Sequence, residues 1–151
     1  MGQSRAMDKV KNDKLAMVVV CPPCGPFSSW MNVNFTSKSD KEVQEILWEA
    51  MRHLSFAVEL CLEQAGNGRF YLLEHPCQAT SWQTGIMERL LFMKGAYRFN
   101  FDFCTLGMKS VDSDGKAGLV KKRTGLVTNS HHVAGLLEKA QCRGGHRHVC
   151  S

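Results

Sequence analysis

Two kinds of hydrophobic pattern alternate along this chain. Leu15–Val20 (LAMVVV) is short, continuous and rich in β-branched residues, and Arg69–Glu74 (RFYLLE) carries a similar apolar run. Runs of this kind predict strands buried on both faces, as in a parallel sheet. The first stops at Pro22-Pro23, and the second ends at Glu74-His75-Pro76. Between them, Val43, Ile46, Leu47, Ala50, Met51, Leu54, Val58, Cys61 and Leu62 recur at helical spacing. Ser39 and Glu42 have the spacing of a capping box, and Gly66-Asn67-Gly68 supplies a stop.

Thr80–Gly95 predicts a second helix, capped by Thr80 or Ser81. Ala96–Cys104 alternates strictly, with Tyr97, Phe99, Phe101 and Phe103 on one face and Arg98, Asn100, Asp102 and Cys104 on the other. The aromatic face suits sheet packing, or else a platform for stacked bases. Asp114-Gly115 marks a turn, Arg123–Asn129 a short strand and Ser130–Gln141 a last helix. The domain boundaries follow: a flexible polar lead-in at 1–14, one α/β domain at 15–141 and a Cys/His-containing tail at 142–151. Strands alternating with helices predict a mostly parallel sheet flanked by helices. Ligands of such sheets sit beyond the carboxyl ends of the strands. Two loops therefore matter, CPPCGPFS after the first strand and EHPCQATSW after the second.

Composition narrows the class only a little. The 151 residues suit one domain, and 44% apolar with 22% charged residues is ordinary for a globular protein. No apolar run approaches the ~20 residues of a membrane span, so no membrane association is expected. The amino terminus lacks an apolar signal-peptide core, which predicts an intracellular protein of cytoplasm or nucleus. Seven cysteines in such a protein are expected to be reduced thiols. The net charge of +5 permits a polyanionic partner, with the densest basic run at Lys121-Lys122-Arg123.

The cysteines allow several chemistries. Cys21 and Cys24 have the CxxC spacing of a redox pair, although a helix would be expected to start at the first cysteine and two prolines intervene. Cys21 alone reads as a core cysteine at a strand end, and His75 as a surface or capping histidine. Trp30 and Trp82 follow the two loops at similar distances and either cover the cleft or simply pack. In the tail, Cys142, His146, His148 and Cys150 are residue types that ligate tetrahedral zinc. A basic tail without metal is the other reading.

PPCGPFS after one strand and LLEHP at the end of the next resemble the catalytic half of the DNA cytosine-5 methyltransferases, in particular small phage- and mobile-element-type relatives. KKRTGLVTN (Lys121–Asn129) is similar to a third segment of those relatives. The resemblance covers roughly Leu15 to Asn129. It implies a partial Rossmann-like, methyltransferase-type fold. It also implies that Cys24 attacks carbon 6 of a flipped-out cytosine while Glu74 holds the base edge. S-adenosylmethionine is the implied methyl donor, with Pro22, Pro23 and Asn129 as cofactor-side residues. Ser28, Arg98, Lys121, Lys122 and Arg123 are the implied nucleic-acid contacts, and DNA the implied partner. Gly25 stands where the family has Gln, and His75-Pro76 where it has Asn-Val. The family's glycine-rich cofactor segment has no counterpart before Leu15. The expectation is thus a fragment, a split subunit or a degenerate copy, whose first strand is an open edge covered by a partner chain or by self-association. A non-catalytic interaction module on the same fold, or a thiol-redox or zinc-binding protein, are the competing expectations.

Overall fold

The structure is a computed structural model that describes residues 2–28 and 37–149. Trp30 and Cys150 lie outside the described residues. The elements run α1 (Gly2–Asn12), β1 (Met17–Val20), a 3-10 turn (Gly25–Phe27), α2 (Asp40–Gly66), β2 (Phe70–Pro76), a second 3-10 turn (Thr80–Gln83), α3 (Gly85–Leu91) and β3 (Tyr97–Asp102). A third 3-10 turn (Phe103–Leu106) leads to β4 (Lys109–Val111), β5 (Ala117–Val120), β6 (Arg123–Thr128), α4 (His131–Leu137) and β7 (His148–Val149).

The main sheet has the order β1-β2-β6-β3, and a small one has the order β4-β5-β7. β1 and β2 are parallel, from Met17 opposite Phe70 to Val20 opposite Leu73. β6 is antiparallel to both of its neighbours. The protein is therefore α/β with mixed sheets, and the expectation of a mostly parallel sheet is corrected. The cause lies in the connections. A parallel neighbour requires a crossover that carries the chain back along the sheet, usually a helix. α2 and α3 supply crossovers before β2 and β3, but only a 3-10 turn and the β4–β5 hairpin separate β3 from β6. The chain stays at one end of the sheet and re-enters it reversed.

α2 forms because its cap and its apolar stripe agree. The Ser39 backbone N–H donates to Glu42 Oε2 at 2.9 Å, and the Ser39 hydroxyl accepts from the Glu42 N–H. Ala50, Leu54, Val58 and Cys61 are buried against Val20, Tyr71, Leu73 and Val127 from one sheet face. Gln64 lies wholly buried in the same helix. Its amide donates to the carbonyls of Leu15 (3.0 Å) and Phe70 (3.1 Å) and accepts from Arg69 Nε (2.6 Å). Every polar atom of that amide has work, as a buried amide requires.

Two terminal segments differ from expectation. In place of a polar lead-in, residues 2–12 form α1, which buries Val10 and is held by Arg69 donating to the Val10 carbonyl at 2.9 Å. The tail contributes β7, paired in parallel with β5 at Leu119–His148 and Val120–Val149. The predicted second helix is also divided. Thr84 caps α3 by accepting from the Met87 N–H, and Trp82 belongs to a separate 3-10 turn before it.

Candidate functional site

The topology gathers most of the sequence-predicted residues at one edge of the main sheet. The carboxyl ends of β1 and β2 lie side by side there, and the reversed β6 begins there, with Pro76 opposite Thr124. β3 also ends there, with Asp102 opposite Arg123. Loops from four elements thus meet around Glu74, although the residues are far apart in sequence.

Glu74 points to the sheet face opposite the α2 core, because its neighbours Leu73 and His75 point into that core. Its side chain is 15% exposed. Thr124 Oγ1 donates to Glu74 Oε1, and Lys122 Nζ lies 3.6 Å from the same oxygen. Cys21 also faces it. The last rung of the parallel ladder is Val20 with Leu73, so the next positions along the strands are Cys21 and Glu74. Although the residue is exposed, partial desolvation of its sulfur pushes the Cys21 thiol up from its ordinary range, and the charge of Glu74 and a hydrogen bond to it act in the same direction, while Lys122 opposes them. Cys21 is therefore a neutral donor to Glu74 and a poor nucleophile. It is exposed, which corrects its reading as a core cysteine.

Cys24, the expected nucleophile, precedes the 3-10 turn Gly25–Phe27 and is half-buried. The Phe27 N–H donates to the Cys24 carbonyl at 3.0 Å, which fixes the backbone after the thiol. Cys21 and Cys24 are both free thiols. A short 3-10 turn follows the second cysteine, and no α-helix starts at the first. That is not the local structure expected of a redox CxxC pair.

His75 binds the two loops together. It is wholly buried, which corrects its reading as a surface or capping residue. Its Nδ1 lies 2.7 Å from Ser81 Oγ, and its ring meets Phe27 at 5.7 Å and Trp82 at 6.2 Å, both edge-on. Nε2 is buried and has no hydrogen-bond partner among the described residues. Burial holds the His75 pKa below its ordinary value, against weaker raising effects from Pro23 and Glu74. Trp82 is packed rather than free to lie over a ligand. Its indole donates to the Pro76 carbonyl at 2.7 Å, and the Arg98 guanidinium stacks on it at 3.9 Å. Gly125 makes room for this stack, since a Cβ there would lie 2.8 Å from the Trp82 ring and run into Arg98.

The basic residues divide accordingly. Arg98 is committed to Trp82 and to Asn100 Oδ1 at 2.8 Å. Arg123 reaches Asp102 at 3.8 Å and Gln141 at 3.1 Å, and Lys122 serves Glu74. Lys121 is exposed. The Ser28 N–H closes the turn on the Gly25 carbonyl at 3.0 Å.

The cofactor-side residues do not come together. Asn129 lies at the opposite end of β6. Its Oδ1 accepts from the Tyr71 N–H and its amide donates to the Arg69 carbonyl, both at 2.9 Å. It clasps the start of β2 and is spent there. Pro22 and Pro23 line a shallow cleft with Val20, His53, Phe56 and Leu60. Its volume, about 220 Å³, is below the ~300 Å³ at which small-molecule sites ordinarily begin. Its lining offers no carboxylate for a ribose. These residues do not fit S-adenosylmethionine.

A second constellation lies beside the first. Cys104, Cys142, His146 and His148 place one ligand atom each within 4.8 Å of the others. Three of them are legible in the tail, whereas strict alternation in Ala96–Cys104 puts Cys104 on a strand face. Its only signal was its position at the strand end where the tail returns. Among the described residues, no helix is long and apolar enough to cross a membrane. Comparison with family models, with curated proteins and with solved structures finds no match for this chain.

Proposed function

We propose that this chain is a DNA cytosine-5 methyltransferase-like domain that supplies the base-attacking half of the chemistry. The observation that carries this reading is the adjacency of the carboxyl ends of β1 and β2, from which the PPCGPFS loop and the Glu74-His75 motif both emerge, with Phe27 of the loop packed on His75. In this reading the Cys24 thiolate donates an electron pair to carbon 6 of a flipped-out cytosine, and the electrons of the 5,6 double bond move toward carbon 5. Glu74 holds the base edge, positioned by Thr124 and Lys122. Lys121 and Arg123 contact phosphate, with Ser28 at the margin of the cleft, while Arg98 stays stacked on Trp82.

The fold is read as the partial Rossmann-like half that presents this loop, in an intracellular setting. S-adenosylmethionine, the methyl donor of the resembling family, would be held by a partner chain that extends the sheet beside β1. β1 pairs with β2 alone among the described residues, and Val19 on it is 60% exposed. A second reading, a nucleic-acid-binding module without chemistry, is favoured by the poor fit of the cofactor-side residues.

One experiment separates the two. The chain is incubated with duplex DNA carrying 2-pyrimidinone in place of a cytosine, a base that accepts thiol addition without methyl transfer. The expected outcome is a covalent adduct on the peptide containing Cys24, lost in Cys24→Ser and retained in Cys21→Ser. Salt-sensitive DNA binding without an adduct would replace the enzyme reading with the binding module. An adduct on Cys21 would overturn the assignment of roles.

A further inference from the structure

We propose that Cys104, Cys142, His146 and His148 bind one zinc ion, which fastens the carboxyl-terminal segment to the end of β3. The four ligand atoms lie within 4.8 Å of one another. Around a tetrahedral zinc with Zn–S of ~2.3 Å and Zn–N of ~2.0 Å, neighbouring ligand atoms are about 3.3 to 3.8 Å apart. Cys142 Sγ lies 3.3 Å from His148 Nε2 and 3.6 Å from His146 Nε2. The two Nε2 atoms are 2.8 Å apart and need to open by about 0.5 Å to reach the tetrahedral edge. A proton shared between the imidazoles explains that one contact. Neither that proton nor a hydrogen bond between the two thiols accounts for all four ligand atoms lying within 4.8 Å of one another. Two thiols and two imidazoles are a donor set that selects zinc over magnesium or calcium.

The surroundings are built for such an ion. Gly144 and Gly145 both take left-handed backbone (φ 79 and 80) and reverse the chain between Cys142 and His146. The Gly144 N–H points at Cys142 Sγ at 3.5 Å, as expected beside a metal thiolate. The Cys142 N–H is itself fixed by Asp102 Oδ2 at 2.8 Å, which sets the tail against β3. β7 has only two residues, and Val149 with Val120 is a small core for a three-stranded sheet. Strands this short do not hold a sheet together unaided. An ion joining the turn after β3 to both sides of the glycine reversal supplies the missing constraint.

The site is independent of the cytosine reading and is tested without DNA. The full chain is produced without a histidine tag and its metal content measured, together with zinc-edge X-ray absorption. The expected result is about one zinc per chain with two sulfur and two nitrogen neighbours. Cys150→Ser is expected to keep both sulfurs, and Cys104→Ser to lose one sulfur or the metal. A folded chain containing no zinc, which takes up none when zinc is added, would overturn the proposal. So would a Cys150→Ser variant with only one sulfur. If Cys104→Ser does not fold, the sulfur count of the Cys150→Ser protein still decides which thiols bind.

Discussion

Cys21 and Cys24 are three positions apart in one loop, yet they meet different surroundings. The motif directed attention to Cys24, but strand parity places Cys21 against Glu74. Parity along two parallel apolar runs is legible in the sequence; the register is not, since nothing local sets it. His75 shows the same limit. Its burial comes from Phe27, Ser81 and Trp82, none of them its sequence neighbour. Its depressed pKa has a consequence for stability. The unfolded chain binds a proton near the ordinary histidine value of ~6.5, whereas the folded chain resists it. The His75 contribution is thus present above that pH and is lost as the pH falls from there through the folded value. Urea unfolding between about pH 8 and 5 should show His75→Gln less sensitive to acid than the unsubstituted chain. Equal sensitivity would remove His75 from the explanation. Tyr71 gives a second case, since its hydroxyl is buried without a partner among the described residues. Tyr71→Phe should stabilise the fold by about 1 kcal/mol, seen as a rise in Tm; a fall would reveal a bonded hydroxyl.

At the level of elements, α2 was the most legible, because cap, stripe and glycine stop all agree. α1 was not legible: Met7 and Val10 are its inward-facing apolar residues and are too few to make a pattern. β6 was found but not its direction, although the lack of a helix between Ala96–Cys104 and Arg123–Asn129 already argued for reversal. Gly125 in β6 accommodates the Arg98–Trp82 stack. Gly125→Ala should therefore cost about 1–3 kcal/mol through overpacking and should perturb Trp82 fluorescence. An unchanged unfolding midpoint and spectrum would mean that Arg98 swings aside freely.

For the whole molecule, the candidate site is a product of topology. Loops after β1, β2 and β3 and the start of β6 converge because three strands run one way and the fourth is inserted against them. The sequence disclosed the members of this edge as separate motifs; only the fold brought Cys104 to the tail. Among the described residues β1 pairs with β2 alone, and Val19 on it and Leu15 before it are exposed. Val19→Lys should reduce concentration-dependent association in sedimentation or light scattering. An unsubstituted chain that stays monomeric at high concentration would show that this edge needs no cover.

The inserted strand also has a consequence for synthesis. β6 lies between β2 and β3 in the sheet but emerges from the ribosome after both. At ~5–20 residues per second, β3 is out for a second or more before its neighbour has been made. During that interval the nascent chain holds two unjoined portions of one sheet. Any chaperone that attends this protein should meet it in that window, and a message truncated before Arg123 should yield a product directed to proteolysis.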